Sequence, residues 1–364
     1  MYAAITGSGW TKTLTGSAPI DAYSYHRGEL LQLKEFIKRN QGSYIVGMIS
    51  YDLGYELHDI QQTAQDDLDL PDIYFLAFDK WDEIQMKTPV QLTLETPFSA
   101  QLSRQKYTEA FRTIKQHIYE GDIYQINLTH RLETTSLHNP RELFAAIAKD
   151  TPSQMAAYLE GPDFEILSFS PEKFISVKNG FIETSPIKGT RPLGQEKELL
   201  ASGKEQAELN MITDLLRNDL GKVCQTGSVN VTAHREIMKL KNISHTYSRI
   251  TGQLKDDIAP IDALLSMLPG GSITGCPKKR AMEIIDELEV TTRSAYCGCM
   301  VTIDPDGNLD SSILIRTIIK KGERLILPVG GGIVNDSDEA DEYQETLDKA
   351  ASITKAVNSE PISS

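Results

Sequence analysis

Between residues 155 and 186 the chain reads MAAYLEG, then FEILSFSPEKFISVKNGFIETSP, a series of strand-like runs joined by short connections. Asn179-Gly180, set between two of those runs, is a strong signal for a two-residue hairpin. The pattern recurs where GSVNVTAHREIMKL is followed by NISHTYSRITGQL. It recurs again in two runs flanking Gly307, with a third run ending at Gly330, Gly331 and Gly332. Strands outnumber helices and neighbours pair as hairpins. That points to an α+β fold and not to an alternating βαβ chain: a single large domain with two stacked, mainly antiparallel β-sheets flanked by helices. Length alone would permit two domains, but no Pro/Gly/Ser-rich linker divides the 364 residues.

Helical periodicity is confined to a few segments. One covers 101–122, with Tyr107, Phe111, Ile114 and Ile118 on one face and a stop at Gly121; another follows Pro140. A long helix is expected from about Lys204 to Val223, and others begin near Pro277 and near Ser337. The first hundred residues mix loops with the strand-like SYIVGMISYDLGYEL and DIYFLAFDKWDEIQM.

Charge narrows the function. With 37 Lys and Arg against 51 Asp and Glu, the net charge of −14 argues against a sequence-independent nucleic-acid binder. An anionic ligand would need cations placed locally, because the global field repels it. No segment approaches about 18 uninterrupted apolar residues and no basic stretch precedes an apolar run at the N-terminus, so a soluble cytoplasmic protein is expected. Cys224, Cys276, Cys297 and Cys299 form no metal-clip spacing and read as reduced thiols.

Several residues could carry chemistry. Lys188, in the Pro/Gly-bounded turn SPIKGTRPLG, would have to lose its proton to act as a nucleophile or base; a solvated loop lysine fits the same residues. Glu172 precedes a strand expected to pair with GFIET, which brings it toward the same end of the ribbon as Lys188. A carboxyl beside a neutral lysine would form an acid and nucleophile pair. On the long helix, Glu205 and Glu208 are one turn apart, and Glu208 aligns with Ile212, Leu215 and Asp219 on the apolar side. A buried carboxylate needs a cation, either protein-borne or a hard metal such as Mg²⁺. Glu342 and Glu345 make a second pair on the last helix, where Lys349 can meet Glu345 at i,i+4. Arg316 sits within the apolar SILIRTII, and the natural inference is a carboxylate partner, either internal or on a ligand. PGGSITGCPKK offers an anion cradle at a helix start. PVGGGIV lets backbone approach a ligand closely. His245 in SHTYSRITG reads as a lone strand histidine.

Taken together, GDIYQINLTHR, SPEKF, PIKGT, AELNMITDLLRNDLG, SHTYSRITG, PGGSITGCPKKRAMEIIDELE, SSILIRTI and GGGIVNDSDEADEYQETLDK resemble the chorismate-utilising enzymes. They span roughly the last two-thirds of the chain. The resemblance implies one chorismate-utilising domain over 1–364, with a core at 101–357 and a shortened, more divergent region at 1–100. Within it, PIKGT resembles the members that aminate chorismate at C4, whereas the anthranilate-forming members usually carry Ala at the position of Lys188. Members that activate water have a lysine where Gln125 stands. The resemblance therefore implies that Lys188 attacks C2 of chorismate, that ammonia then adds at C4, and that Glu172 serves as general acid and base. It places His245 near the ring, and Gln125, Thr274, Tyr296, Arg316, Gly330, Gly331, Gly332 and Lys349 against the substrate. Glu208 and Glu345 would hold Mg²⁺, with Glu205 and Glu342 near them. The expected product is 4-amino-4-deoxychorismate, on the way to p-aminobenzoate and folate. Its ammonia would come from a glutamine amidotransferase subunit in a heterodimer, without nucleic acid or membrane. An anthranilate-forming enzyme and a catalytically idle homologue are the alternatives left open.

Overall fold

Antiparallel pairing organises most of the chain. The computed structural model describes residues 1–10, 14–27, 30–83, 92–151, 153–239 and 243–357. Among these, two sheets form. The first runs through Gly275–Cys276, Gln125–Thr135, Arg324–Ile333, Thr317–Lys321, Phe164–Ser170, Met155–Glu160, Tyr2–Thr6, Leu14–Ser17 and Asp82–Glu83, with Ser99–Ala100 also paired to Gln125–Thr135. The second runs through Ile187–Pro192, Ile243–Gln253, Phe181–Thr184, Lys173–Lys178, Leu309–Ile313, Cys299–Ile303, Tyr44–Ile49, Ile73–Phe78 and Asp21–Tyr25, with Asn230–Lys239 on the other side of Ile243–Gln253.

The central strands of each sheet are buried on both faces. Val46, Met48, Leu76 and Met300 of the second sheet share a cluster with Ala3, Ile5, Ala157, Leu159, Ile166 and Ile319 of the first. The alternate residues, among them Ile45, Phe75, Tyr158 and Leu167, pack with Leu33 and Phe36 of helix Leu31–Arg39 and with Phe144 and Ile147 of helix Pro140–Asp150. This is the α+β sandwich that the hairpin pattern implies. Double-sided burial also explains why strands such as IYFLAF read as continuous apolar runs and not as strict alternation.

The hairpin at Asn179-Gly180 forms as expected, with φ of 52° and 78° at the two turn residues and Lys178 facing Phe181. The helix expected from the 101–122 pattern is Arg104–Glu120; Ser103 caps it and Gly121 ends it at φ 83°. The long helix is Gly203–Val223, where the Ser202 side chain accepts from the Glu205 amide.

Three expectations change. In SYDLGYEL the chain leaves the strand at Ile49 and turns into the short helix Leu53–Leu57, where the Ser50 hydroxyl accepts from the Leu53 amide at 3.1 Å. The strand beginning near Asp72 ends at Phe78, and the expected 84–86 portion lies outside the described residues. Lys188 is not on a free turn. It belongs to strand Ile187–Pro192, paired with Thr246, and the ladder shifts register between Lys188 and Thr190. Gly189 makes that bulge at φ 68°; a Cβ there would come within 2.7 Å of Leu199 and 2.8 Å of the Glu205 carboxyl carbon.

Of the connections that pass between the sheets, two short crossovers shape the site. The chain leaves the first sheet at Ser170 and enters the second at Lys173, passing through Pro171 and Glu172. It returns through Leu314, Ile315 and Arg316, between Leu309–Ile313 and Thr317–Lys321. The crossovers lie side by side: the Phe169 amide donates to Arg316 O at 3.0 Å and the Ile313 amide to Glu172 O at 3.1 Å.

A buried ion pair braces this region from behind. Arg293 meets Glu289 through Nε at 2.9 Å and Nη2 at 2.7 Å. Its remaining donors reach Ile273 O at 2.8 Å and Asn127 O at 2.6 Å, while Glu289 also accepts from the Thr129 amide at 2.8 Å. Removing one partner leaves an uncompensated buried charge. Arg293→Met is therefore expected to lower the unfolding free energy by about 3–5 kcal/mol, read from urea denaturation; an unchanged midpoint would show that the pair contributes nothing net.

Candidate active site

A cavity of about 620 Å³ opens between the two crossovers, the Ile187–Pro192 edge, helix Gly203–Val223 and helix Glu339–Ala356. It gathers most residues singled out above: Glu172, Lys188, Glu205, Glu208, His245, Tyr296, Arg316, Gly330, Gly332, Glu342, Glu345 and Lys349. The size suits a small organic ligand.

Glu172 is buried at the first crossover, where Ser272 Oγ donates to its Oε1 at 3.0 Å. Burial pushes its carboxyl above the usual carboxylate range, and the Lys188 charge and the Ser272 bond pull the other way. A carboxyl so placed can carry a proton toward a leaving oxygen. Against the upward push of burial, the Lys188 charge also pulls on the Glu208 and Glu345 carboxyls, so it reaches all three. Arg316 sits on the second crossover and not at the centre of a strand, with φ at +50°. Holding a side chain other than glycine in that region costs on the order of 1 kcal/mol or more. Among the described residues no carboxylate pairs with Arg316. Burial without a counter-ion lowers its pKa. The internal salt bridge is therefore absent here, and the guanidinium faces a cavity able to take an anion.

The four glutamates are unequally matched. Glu205 accepts from Arg191 at 2.9 Å, Glu342 accepts from Lys204 at 3.3 Å and from Ser337 at 2.6 Å, and Glu345 pairs with Lys349 at 2.8 Å. Glu208 has no such partner among the described residues. Its carboxyl is pushed up by burial and by the charges of Glu345 and Glu342, against the pull of Lys188 and Lys204. Glu345 lies at the rim with its side chain 53% exposed. Partial burial works to raise its carboxyl, but Lys349, Lys204 and Lys188 together hold it below the ordinary value. The Glu205 Oε2 is buried and unpartnered. These are donors that a hard divalent cation accepts. No three of them bring their oxygens within 4.8 Å of one another. Among the described residues that spacing is met by His117, Glu120 and Asp122, outside the cavity, where Asp122 is already paired with His117 and Arg280. An ion in the cavity would thus be held by one or two glutamates, with water and ligand oxygens completing its shell, as is usual for Mg²⁺.

His245 is buried on strand Ile243–Gln253, with Nδ1 2.9 Å from Thr190 Oγ1 and 3.2 Å from Gly189 O. Burial lowers its pKa and the Arg316 charge adds to that, against the opposing Gly189 bond. Lys349 donates to Gly330 O at 2.9 Å, tying the last helix to the glycine strand.

Three expected contacts are placed elsewhere. Gln125 is buried outside the lining, its amide against Gly332, where a Cβ would meet Nε2 at 2.9 Å. The Thr274 hydroxyl is turned to Gly270 O at 2.9 Å. Gly331 lies outside the lining, although its Cβ position would face Glu342 and Lys349. At the helix start near Pro277, Lys278 is buried and donates to Asp219 at 3.0 Å. Sequence reasoning missed Ser272, Thr190, Arg191, Lys204, Asn127 and Asp348, all on the cavity wall. Each sits beside a motif already noted, but nothing in the pattern says which neighbour turns inward.

Comparison with known proteins gives a consistent result. The family described as chorismate binding enzyme matches residues 4–355. Anthranilate synthase component 1 1 of Haloarcula marismortui is 33% identical, covering 98% of this chain and 87% of its own length. Aminodeoxychorismate synthase component 1 of Klebsiella aerogenes is 37% identical, covering 86% of this chain and 77% of its own length. The crystal structure of anthranilate synthase component I from Streptococcus pneumoniae superposes with a TM-score of 0.83 at 27% identity, over 97% of this chain and 92% of that one.

Because the Lys188 charge favours the ionised form of Glu172, Lys188→Ala is expected to move the Glu172 titration midpoint further up, followed by ¹³C NMR of labelled glutamate. An unmoved midpoint would place the two groups out of electrostatic reach.

Proposed function

The chain belongs to the chorismate binding enzymes, and on that premise we propose that it aminates chorismate at C4, giving 4-amino-4-deoxychorismate for p-aminobenzoate and folate synthesis. The observation that carries this reading is Lys188, on the bulged edge strand, lining one cavity with the buried Glu172, whose carboxyl burial pushes above the ordinary range.

Once Lys188 has released its proton to solvent, its amine gives its electron pair to C2 and the ring double bonds shift. The C4–O bond breaks, and the oxygen leaves as water with the proton held by Glu172. Ammonia then adds at C4, the double bonds shift back, the C2–N bond to Lys188 breaks with its electron pair returning to the amine, and the new C4 ammonium gives a proton back to Glu172. Arg316 and Lys349 hold the substrate's anionic groups and offset a net charge of −14 that would otherwise repel a dianion. Mg²⁺ held by Glu208 and Glu345, with Glu205 and Glu342 near them, would supply charge neutralisation for a carboxylate of the substrate. Ammonia reaches the site from a glutamine amidotransferase subunit, a reading supported by relatives whose names designate them component 1. No helix among the described residues is long and apolar enough to cross a membrane.

A second reading is supported by the Haloarcula relative, named anthranilate synthase component 1 1, whose match spans 98% of this chain. Product identity separates the two. Incubation with chorismate, Mg²⁺ and ammonium is expected to yield 4-amino-4-deoxychorismate; direct appearance of anthranilate fluorescence would reject C4 amination. Lys188→Ala is expected to abolish C4 amination, and Glu172→Gln to slow it by about 10²–10⁴-fold, both measured by chromatography of the product.

A further inference from the structure

The imidazole of His245 has one nitrogen fixed and the other waiting. Two oxygens surround Nδ1, Thr190 Oγ1 at 2.9 Å and Gly189 O at 3.2 Å. A carbonyl oxygen only accepts, so the hydrogen sits on Nδ1 and both oxygens share it. In a neutral ring Nε2 then carries a lone pair. That atom is buried and has no partner, and the residue lines the cavity. Both Nδ1 contacts come from the bulge beside Lys188, where the register shifts. Thr190 and Gly189 are thus positioning residues for the ring.

We propose that His245 takes up a proton when a carboxylate binds beside Arg316, so that the anion is held between a guanidinium and an imidazolium. The inference rests on the reading of this cavity as a site for chorismate, a dicarboxylate. Arg316 is partly buried, carries no counter-ion among the described residues, lines the same cavity, and its charge acts on His245. A carboxylate seated there presents lone pairs to the Nε2 lone pair, which is repulsive. One proton from bulk solvent turns that repulsion into a charge-assisted hydrogen bond. An N–H bond forms at Nε2, no substrate bond breaks, and the site gains one positive charge.

The surrounding charges fit this direction. Arg316 lines the same cavity from the crossover, and on the neighbouring strand Lys188 and Arg191 lie on either side of Gly189 and Thr190, Arg191 being paired with Glu205. On the other side the residue opposite is Met238, with Lys239 next to it and held by Glu196. In the free protein the cations and burial keep the ring neutral. An arriving carboxylate cancels the nearest cation and reverses the balance.

The experiment is calorimetry of chorismate binding at about pH 8, in two buffers of different ionisation enthalpy, with Mg²⁺ and no ammonia source. Wild type is expected to take up about one proton per chorismate bound. His245→Gln is expected to bind more weakly and to take up none. Binding by wild type without uptake, or equal uptake by the variant, overturns the inference alone. Absence of binding overturns the reading of the cavity along with it. A ¹⁵N spectrum of the free protein provides a readout independent of ligand: His245 with hydrogen on Nδ1 supports the inference, and hydrogen on Nε2 overturns it.

Discussion

The paired crossover between the sheets is the constraint from which the cavity follows. Strands Phe164–Ser170 and Thr317–Lys321 are partners in one sheet, and their continuations Lys173–Lys178 and Leu309–Ile313 are partners in the other. The two chains change sheet together, hydrogen-bonded at the corner through Arg316 O and Glu172 O. Strands can turn such a corner only by a bend or bulge. The bend leaves a short non-ladder segment on each chain, with side chains free of the alternation that would send them into the core. Glu172 and Arg316, an acidic and a basic side chain, occupy those two segments without pairing with each other. The positive φ at Arg316 is part of the same corner.

Electrostatically the cavity is a balance held slightly open. Arg191, Lys204 and Lys349 each meet a carboxylate, while Lys188 and Arg316 are left without an acidic partner among the described residues. On the other side Glu172 and Glu208 lack a cation in contact, and their carboxyls are raised by burial. Unpaired charges of both signs in one enclosed volume are costly in a structure that serves stability alone. A ligand carrying carboxylates, together with a hard cation, would complete both sets at once.

How much of this the sequence disclosed varies with the residue. The stacked antiparallel sheets were legible because the turn signals, Asn179-Gly180 above all, are local. Glu172 and Lys188 could be brought together from that hairpin alone. Arg316 could not be placed correctly, because SILIRTII looks like one apolar strand, and the corner within it is imposed by contacts with the neighbouring chain. Gln125 and Thr274 belong to motifs beside the cavity but turn their side chains into the protein, which motif spacing does not encode. Ser272 and Thr190 escaped notice for the converse reason: each has an ordinary side chain whose importance comes from the buried group it touches, Glu172 in one case and His245 in the other.

Strand Ile187–Pro192 lies at one end of its sheet, with Ile243–Gln253 as its sole ladder partner among the described residues. Terminal strands can slide, and since side chains alternate, a displacement of one residue would exchange inward for outward along the whole segment. The extra residue at Gly189 works as a detent, fitting against Leu199 and Glu205 in one alignment. The accuracy with which this protein presents its amine is therefore set by backbone indexing on a sheet margin, and an insertion or deletion between 184 and 189 would disarm the site while leaving both sheets standing.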